Sequence, residues 1–189
     1  IVVLYTNDVH CAIDENIGYG GLALYKKQMM NQTPYVTLVD AGDAIQGAPV
    51  GTLSEGGYII DIMNQTGYDV AVPGNHEFDY RSSGLANMLN TAKASGENVP
   101  SLVVCNVDWS AMEKAGLTEG QQQIKDAFEN YGVKDYVVVQ KGDVKIAVFG
   151  VFGKDSLDCA PTCELLFEDP IEASKKTVEE IKKNEDVDM

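Results

Sequence analysis

Three times in succession, a short run of β-favouring apolar residues ends in a cluster of acids, amides and imidazole. Thr6-Asn7-Asp8-Val9-His10 follows residues 1–5, Asp40-Ala41-Gly42-Asp43 follows residues 35–39, and Gly74-Asn75-His76-Glu77-Phe78-Asp79 follows residues 69–72. The stretches between these runs carry apolar residues at helical spacing. Strands alternating with helices predict an α/β fold built on a parallel sheet. Such a sheet opens its ligand crevice beyond the carboxyl ends of its strands. The three polar clusters are therefore expected along one rim of the fold.

The remaining segments fit that pattern. Residues 1–5 are continuously apolar, as in a strand buried on both faces. Helices are predicted over 20–32, 54–66, 83–95, 119–131 and 170–184. Gly67 and Gly96 stand as stops for the second and third, and Pro170 opens the last. A fourth strand is predicted at 102–104. Residues 136–140 and 144–152 flank Lys141-Gly142-Asp143 and read as a hairpin. Asp186-Val187-Asp188-Met189 then begins a strand that the sequence does not continue, so the chain is expected to break off inside its domain.

Composition narrows the function. The 189 residues carry 14 basic and 29 acidic side chains, a net charge of −15. This argues against a nucleic-acid duplex as partner and against docking on anionic lipid, since both need clustered Lys and Arg. A small anionic substrate would need local positive charge. Arg81 is the only arginine, which leaves bound metal ions as the source. No apolar run is long enough to span a bilayer. Ile1 opens directly into the first strand pattern, with no basic leader.

Four cysteines are present. Cys159-Ala160-Pro161-Thr162-Cys163 reads as a loop that a short disulfide could staple, or as a pair of free thiols. A zinc knuckle would need a second Cys or His pair, and none accompanies it. Cys11 and Cys105 read as small buried thiols.

The clusters hold metal-binding chemistry. Asp8 and His10 are two apart, and such residues in an extended segment point the same way. The plain alternative is that Asp8 caps a turn and His10 is an ordinary loop residue. Asp43 follows a glycine that permits a sharp turn, and one carboxylate can span two ions. Asp40 is the other candidate, or only a turn cap. Asn75, His76, Glu77 and Asp79 crowd the third loop. Asp, Asn and His together suit hard or borderline divalent ions.

Thr6-Asn7-Asp8-Val9-His10, Gly42-Asp43 and Gly74-Asn75-His76-Glu77 match, in order and in strand context, the opening motifs of the calcineurin-like metallophosphoesterases. The fuller strings resemble the branch that contains 5′-nucleotidases, UDP-sugar hydrolases and 2′,3′-cyclic phosphodiesterases. That resemblance implies an α/β/β/α sandwich, truncated before its carboxy-terminal strands. Residues 1–189 would be the amino-terminal portion of one catalytic domain, without the carboxy-terminal nucleotide-recognition domain.

The resemblance also implies roles. Asp8 and His10 would bind one metal, Asp43 would bridge two, and Asn75 would bind the second. His76 would contact the scissile phosphate, oriented by Asp79. The reaction would be hydrolysis of nucleotide phosphate esters or related phosphoesters with two divalent ions (Zn, Mn, Co, Mg or Fe). The setting would be extracellular, periplasmic or cell-surface.

The family supplies three further histidines to the metals, whereas His10 and His76 are the only two here. At most one weakly held ion and low hydrolase activity are therefore expected of this chain. The alternative is a non-catalytic metal-binding or interaction domain that keeps the early motifs. The His76–Asp79 pair favours the enzyme, because a pure metal binder needs neither. A third possibility is another branch of the superfamily, acting on thiosulfonates or cyclic nucleotides.

Other features carry less. Gly18-Tyr19-Gly20-Gly21 lacks the spacing of a dinucleotide loop and reads as an entry to the first helix. Asn31-Gln32-Thr33 and Asn64-Gln65-Thr66 fit glycosylation tripeptides that arise often by chance. Trp109 is assigned to packing.

Overall fold

The computed structural model describes residues 1–96 and 98–189. Strands β1 (Val2–Thr6), β2 (Val36–Asp40), β3 (Val70–Ala71) and β4 (Ser101–Leu102) form one parallel sheet in the order β1-β2-β3-β4. The register pairs Val2 with Val36 and Thr6 with Asp40, so both strands end level with each other. Asp40 in turn pairs with Ala71. The loops that leave these three strands therefore emerge side by side.

Helices α1 (Gly18–Met30), α3 (Gly57–Thr66), α4 (Arg81–Ala94) and α6 (Glu119–Tyr131) follow in α/β alternation. Their apolar stripes and β2 share one core, in which Leu38, Ile59, Met63, Leu89 and Ile124 are at most 1% exposed. Burying each such side chain contributes about 1.5–3 kcal/mol. Helix α8 (Pro170–Asn184) buries Ala173, Thr177 and Ile181. A hairpin of β5 (Tyr136–Lys141) and β6 (Val144–Phe149) forms a second sheet. Its turn is fastened to the first sheet where Lys141 Nζ meets Asp69 at 2.6 Å and the Tyr35 hydroxyl donates to Asp143 at 2.7 Å. Beside β6, Asp188 N donates to Lys145 O at 2.9 Å and Ala147 N to Met189 O at 2.8 Å. Asp188 and Met189 thus bond alongside β6, but residues 186–189 form no strand.

Several expectations are corrected. β1 is not buried on both faces, because it lies at the sheet edge with Val3 and Tyr5 exposed. The helix predicted over 54–66 begins only at Gly57, as α3, and a separate short helix that was not anticipated, α2 (Pro49–Ser54), precedes it across Glu55 and Gly56. Both residues are left-handed, at φ 48° and 86°. Gly56 is needed there, since a Cβ would come within 2.8 Å of Ile45 and 2.9 Å of Met88. The short helices α5 (Trp109–Ala115) and α7 (Lys154–Asp158) were not anticipated. Trp109 packs edge-on against Phe128, with ring centres 6.1 Å apart.

The four cysteines are all free thiols, so the 159–163 loop carries no disulfide. Burial pushes the Cys163 thiol up to about 11, which makes it a poor nucleophile. No helix among the described residues is long and apolar enough to cross a membrane.

Candidate metal centre

The loops after β1 and β2 are laced together by their backbones. Asp8 N donates to Gly42 O at 3.1 Å, His10 N to Asp43 O at 2.9 Å and Cys11 N to Ala44 O at 3.0 Å. To follow this path, Asp8, His10, Cys11 and Asp43 all take left-handed backbones, at φ 54°, 49°, 60° and 58°. Non-glycine residues rarely do so, and such conformations cluster where a site has to be held. The extended geometry expected at Asp8-x-His10 is therefore replaced by a curl, because the loop hydrogen-bonds sideways to its neighbour.

The third loop closes in from β3. Its residues His76–Phe78 form a single 3₁₀ turn. His76 N donates to Asp43 Oδ1 at 2.7 Å. A Cβ on Gly42 would lie 2.6 Å from Gly74 N, and one on Gly74 would lie 2.4 Å from Asp43 Oδ1. Both glycines permit a backbone approach that no other residue allows.

The fold thus brings His10, Asp43 and His76 together, with one ligand-type atom of each within 4.8 Å of the other two. The two imidazoles meet edge to face at 4.8 Å. His10 Nδ1 lies 3.0 Å from Gln46 O, and His76 Nδ1 lies 2.8 Å from Asp79 Oδ2. Each ring donates its Nδ1–H to an oxygen, which leaves Nε2 with its lone pair for a ligand. Asp8 stands at the margin, its Oδ1 3.8 Å from His10 Nε2 and its other oxygen taken by the Asn7 amide. Asn75 starts the 3₁₀ turn without capping it by its side chain. A cavity of about 530 Å³ adjoins Asp8 and His10, with Tyr19 and Tyr68 in its wall.

Imidazole nitrogen and carboxylate oxygen with free lone pairs fit a divalent ion. Two carboxyls lie behind the site. Asp40 accepts from the Thr6 hydroxyl and, at 2.9 Å, from Gly42 N, so it caps the turn and does not face the cluster. Glu77, which the sequence reading left without a role, is 7% exposed and lies beneath the second and third loops.

Burial pushes the Asp40 carboxyl up to about 7 from an ordinary 3.8. Between those values the folded chain keeps a proton that the unfolded chain has released. Stability present at acid pH is therefore lost as pH rises toward 7. Asp40→Asn should remove this loss, so its urea midpoint should gain on that of the parent between pH 4 and 7. Parallel pH curves for the two proteins would contradict it.

His76 is raised above its ordinary value, chiefly by its bond to Asp79. Asp79→Asn removes that support, so the His76 imidazolium should lose its proton at lower pH. An NMR titration of the His76 ring protons reads the shift, and an unmoved midpoint would count against the pairing.

No family model matches the chain. The trifunctional nucleotide phosphoesterase YfkN of Bacillus subtilis is 30% identical over 200 residues, covering 99% of this chain and 13% of the relative. Bovine 5′-nucleotidase is 30% identical, covering 96% of this chain and 31% of the relative. In fold, the chain superimposes on the 5′-nucleotidase precursor of Thermus thermophilus with a TM-score of 0.74 at 24% identity. That match covers 96% of this chain and 34% of the other.

The architecture is that of an α/β metallophosphoesterase, with its polar loops at the carboxyl rim of a parallel sheet. Over nearly the full chain, its homologues are 5′-nucleotidases and the calcineurin-like phosphoesterase YfkN. The chain spans a third or less of the length of these relatives.

Proposed function

We propose that this chain supplies the metal-binding rim of a 5′-nucleotidase-like hydrolase that cleaves nucleotide phosphate esters. Residues 1–189 would then be one portion of a catalytic domain. The observation that carries the reading is the convergence of His10, Asp43 and His76 from three successive strand ends.

His10 and Asp43 would hold a divalent ion, with Asp8 at the margin of the set. By the family motifs, Asn75 and Asp43 would hold a second ion. When bound, the ions supply Lewis acidity and positive charge at the phosphoryl group. His76 presents Nε2 to the phosphoryl oxygens and, when protonated, donates a hydrogen bond as charge grows on them. Asp79 holds the ring in that orientation and keeps its proton to higher pH. The adjoining cavity leaves room for the alcohol part of the ester.

Nucleotides as substrates agree with the names of the relatives, and a setting outside the cytoplasm agrees with the venom 5′-nucleotidases among them. A metal-binding module without catalysis would leave the Asp79–His76 bond unused.

Calorimetry with Mn²⁺, Co²⁺ and Zn²⁺ tests this directly. Weak binding of one ion per chain is expected, followed by binding of inorganic phosphate only when the ion is present. With these two histidines alone, hydrolysis of AMP should be slow. Phosphate binding that ignores the metal would overturn the reading, and turnover equal to that of a full-length 5′-nucleotidase would overturn the expectation of an incomplete site.

A further inference from the structure

We infer that Glu77 is the positioning residue that sets Asp43 and His76 in place together. This rests on the metal-site reading above. Glu77 is buried, and among the described residues no Lys or Arg pairs with it. A lone buried carboxylate is costly unless it is hydrogen-bonded. It is met instead by four backbone N–H groups. Oε2 accepts from Asp43 at 2.8 Å and Gly74 at 2.6 Å, and Oε1 accepts from Ala44 at 2.9 Å and Ile45 at 3.3 Å.

Converging backbone N–H groups make an anion-binding nest, and bonds to an ionised acceptor are the stronger kind. Here the anion is the protein's own. One carboxylate therefore ties the loop after β2 to the loop after β3. Asp43 closes the circuit, because its Oδ1 takes the N–H of His76, the residue before Glu77. Moving the Glu77 carboxylate shifts the Asp43 amide, then its side chain, then His76. Glu77 touches neither ion nor substrate, and it acts through those two residues.

Glu77→Gln keeps the length but turns one acceptor oxygen into a donor, which faces N–H groups that it cannot satisfy. Glu77→Asp keeps the charge and falls short of the nest. Amide hydrogen exchange in the metal-free chain reads the effect. In Glu77→Gln the amides of Asp43, Gly74 and His76 should exchange about tenfold faster relative to those of α6, as expected when a local hydrogen-bonded unit opens. In a Co²⁺ titration followed by visible absorbance, affinity should fall by about 10–100-fold, the usual cost of losing a supporting partner.

Ile124→Ala, which weakens the core without removing any hydrogen bond to the metal-site loops, should leave Co²⁺ affinity within about twofold. Glu77→Asp should fall between Glu77→Gln and the parent, and it carries the same test should Glu77→Gln fail to fold. Parent-like exchange at Asp43 and His76 in a Glu77 variant would overturn the inference. So would an equal affinity loss in Ile124→Ala. Failure of the parent to bind Co²⁺ would instead contradict the metal-site reading, and the metal-free exchange experiment would still judge Glu77.

Discussion

Asp43→Asn is expected to weaken divalent-ion binding by about 100-fold or more, beyond the 10–100-fold typical of losing an outer partner, while the fold survives. The carboxylate is 8% exposed and sits where all three loops meet. Asparagine keeps an oxygen to accept the His76 N–H, and it tolerates the left-handed backbone at this position. What it loses is the charge that draws a cation. Thermal unfolding should therefore move little, by an amount equivalent to about 1 kcal/mol or less. Calorimetry with Co²⁺ and a parallel melt separate the two effects. Parent-like affinity in Asp43→Asn would remove Asp43 from the metal site, and a collapsed melt would show that its charge serves the fold.

Gly42→Ala should be the most damaging small substitution in the rim. Its φ of +105° strains any L side chain, and the new Cβ would meet Gly74 N at 2.6 Å and Gly74 Cα at 2.7 Å. Both obstacles are backbone and cannot swing aside as a flexible side chain could. A loss of about 3 kcal/mol or more is expected, in the range that marks steric and backbone failures. Gly132→Ala provides the comparison. It too has positive φ, +91°, but nothing lies within 4 Å of a Cβ there. Its cost should be only the left-handed penalty, about 1–2 kcal/mol. Urea midpoints measure the difference, and equal losses at the two glycines would mean that the loops are not pressed together as described.

The sequence was most legible where local chemistry and tertiary packing agreed. Residues 119–131 are predicted and observed with the same ends, because Thr118 and Gln121 form a capping box and Gly132 takes the left-handed stop. The first helix starts two residues earlier than predicted, since no side chain caps it. The late start of α3 was not legible, because the left-handed turn at Glu55-Gly56 is set by the close approach of Ile45 and Met88, which are distant in sequence. β1 misled in the opposite way. Its apolar run suggested two buried faces, but burial depends on neighbours that an edge strand lacks.

The site was legible as three strand-end clusters, because parallel strands in register deliver their loops to one rim. The path between Asp8 and His10 was not legible, since extended-strand logic fails once the loop bonds sideways to residues 42–44. Glu77 was missed for a related reason. Its acidic type and place beside His76 were visible, but nothing in the sequence says that the carboxylate points inward to four amides. Asp40 was weighed as a turn cap or a ligand, and its bonds to Thr6 and Gly42 favour the cap.

The claim on which everything else rests is that His10 and Asp43 grip one divalent ion with His76 facing it. An anomalous difference map from crystals of this chain soaked in Zn²⁺ tests that claim most directly. The expected result is a peak about 2.0–2.2 Å from His10 Nε2 and an Asp43 carboxylate oxygen, with His76 still bonded to Asp79. A strong peak elsewhere, with His10 and Asp43 free of metal at saturating Zn²⁺, would contradict it.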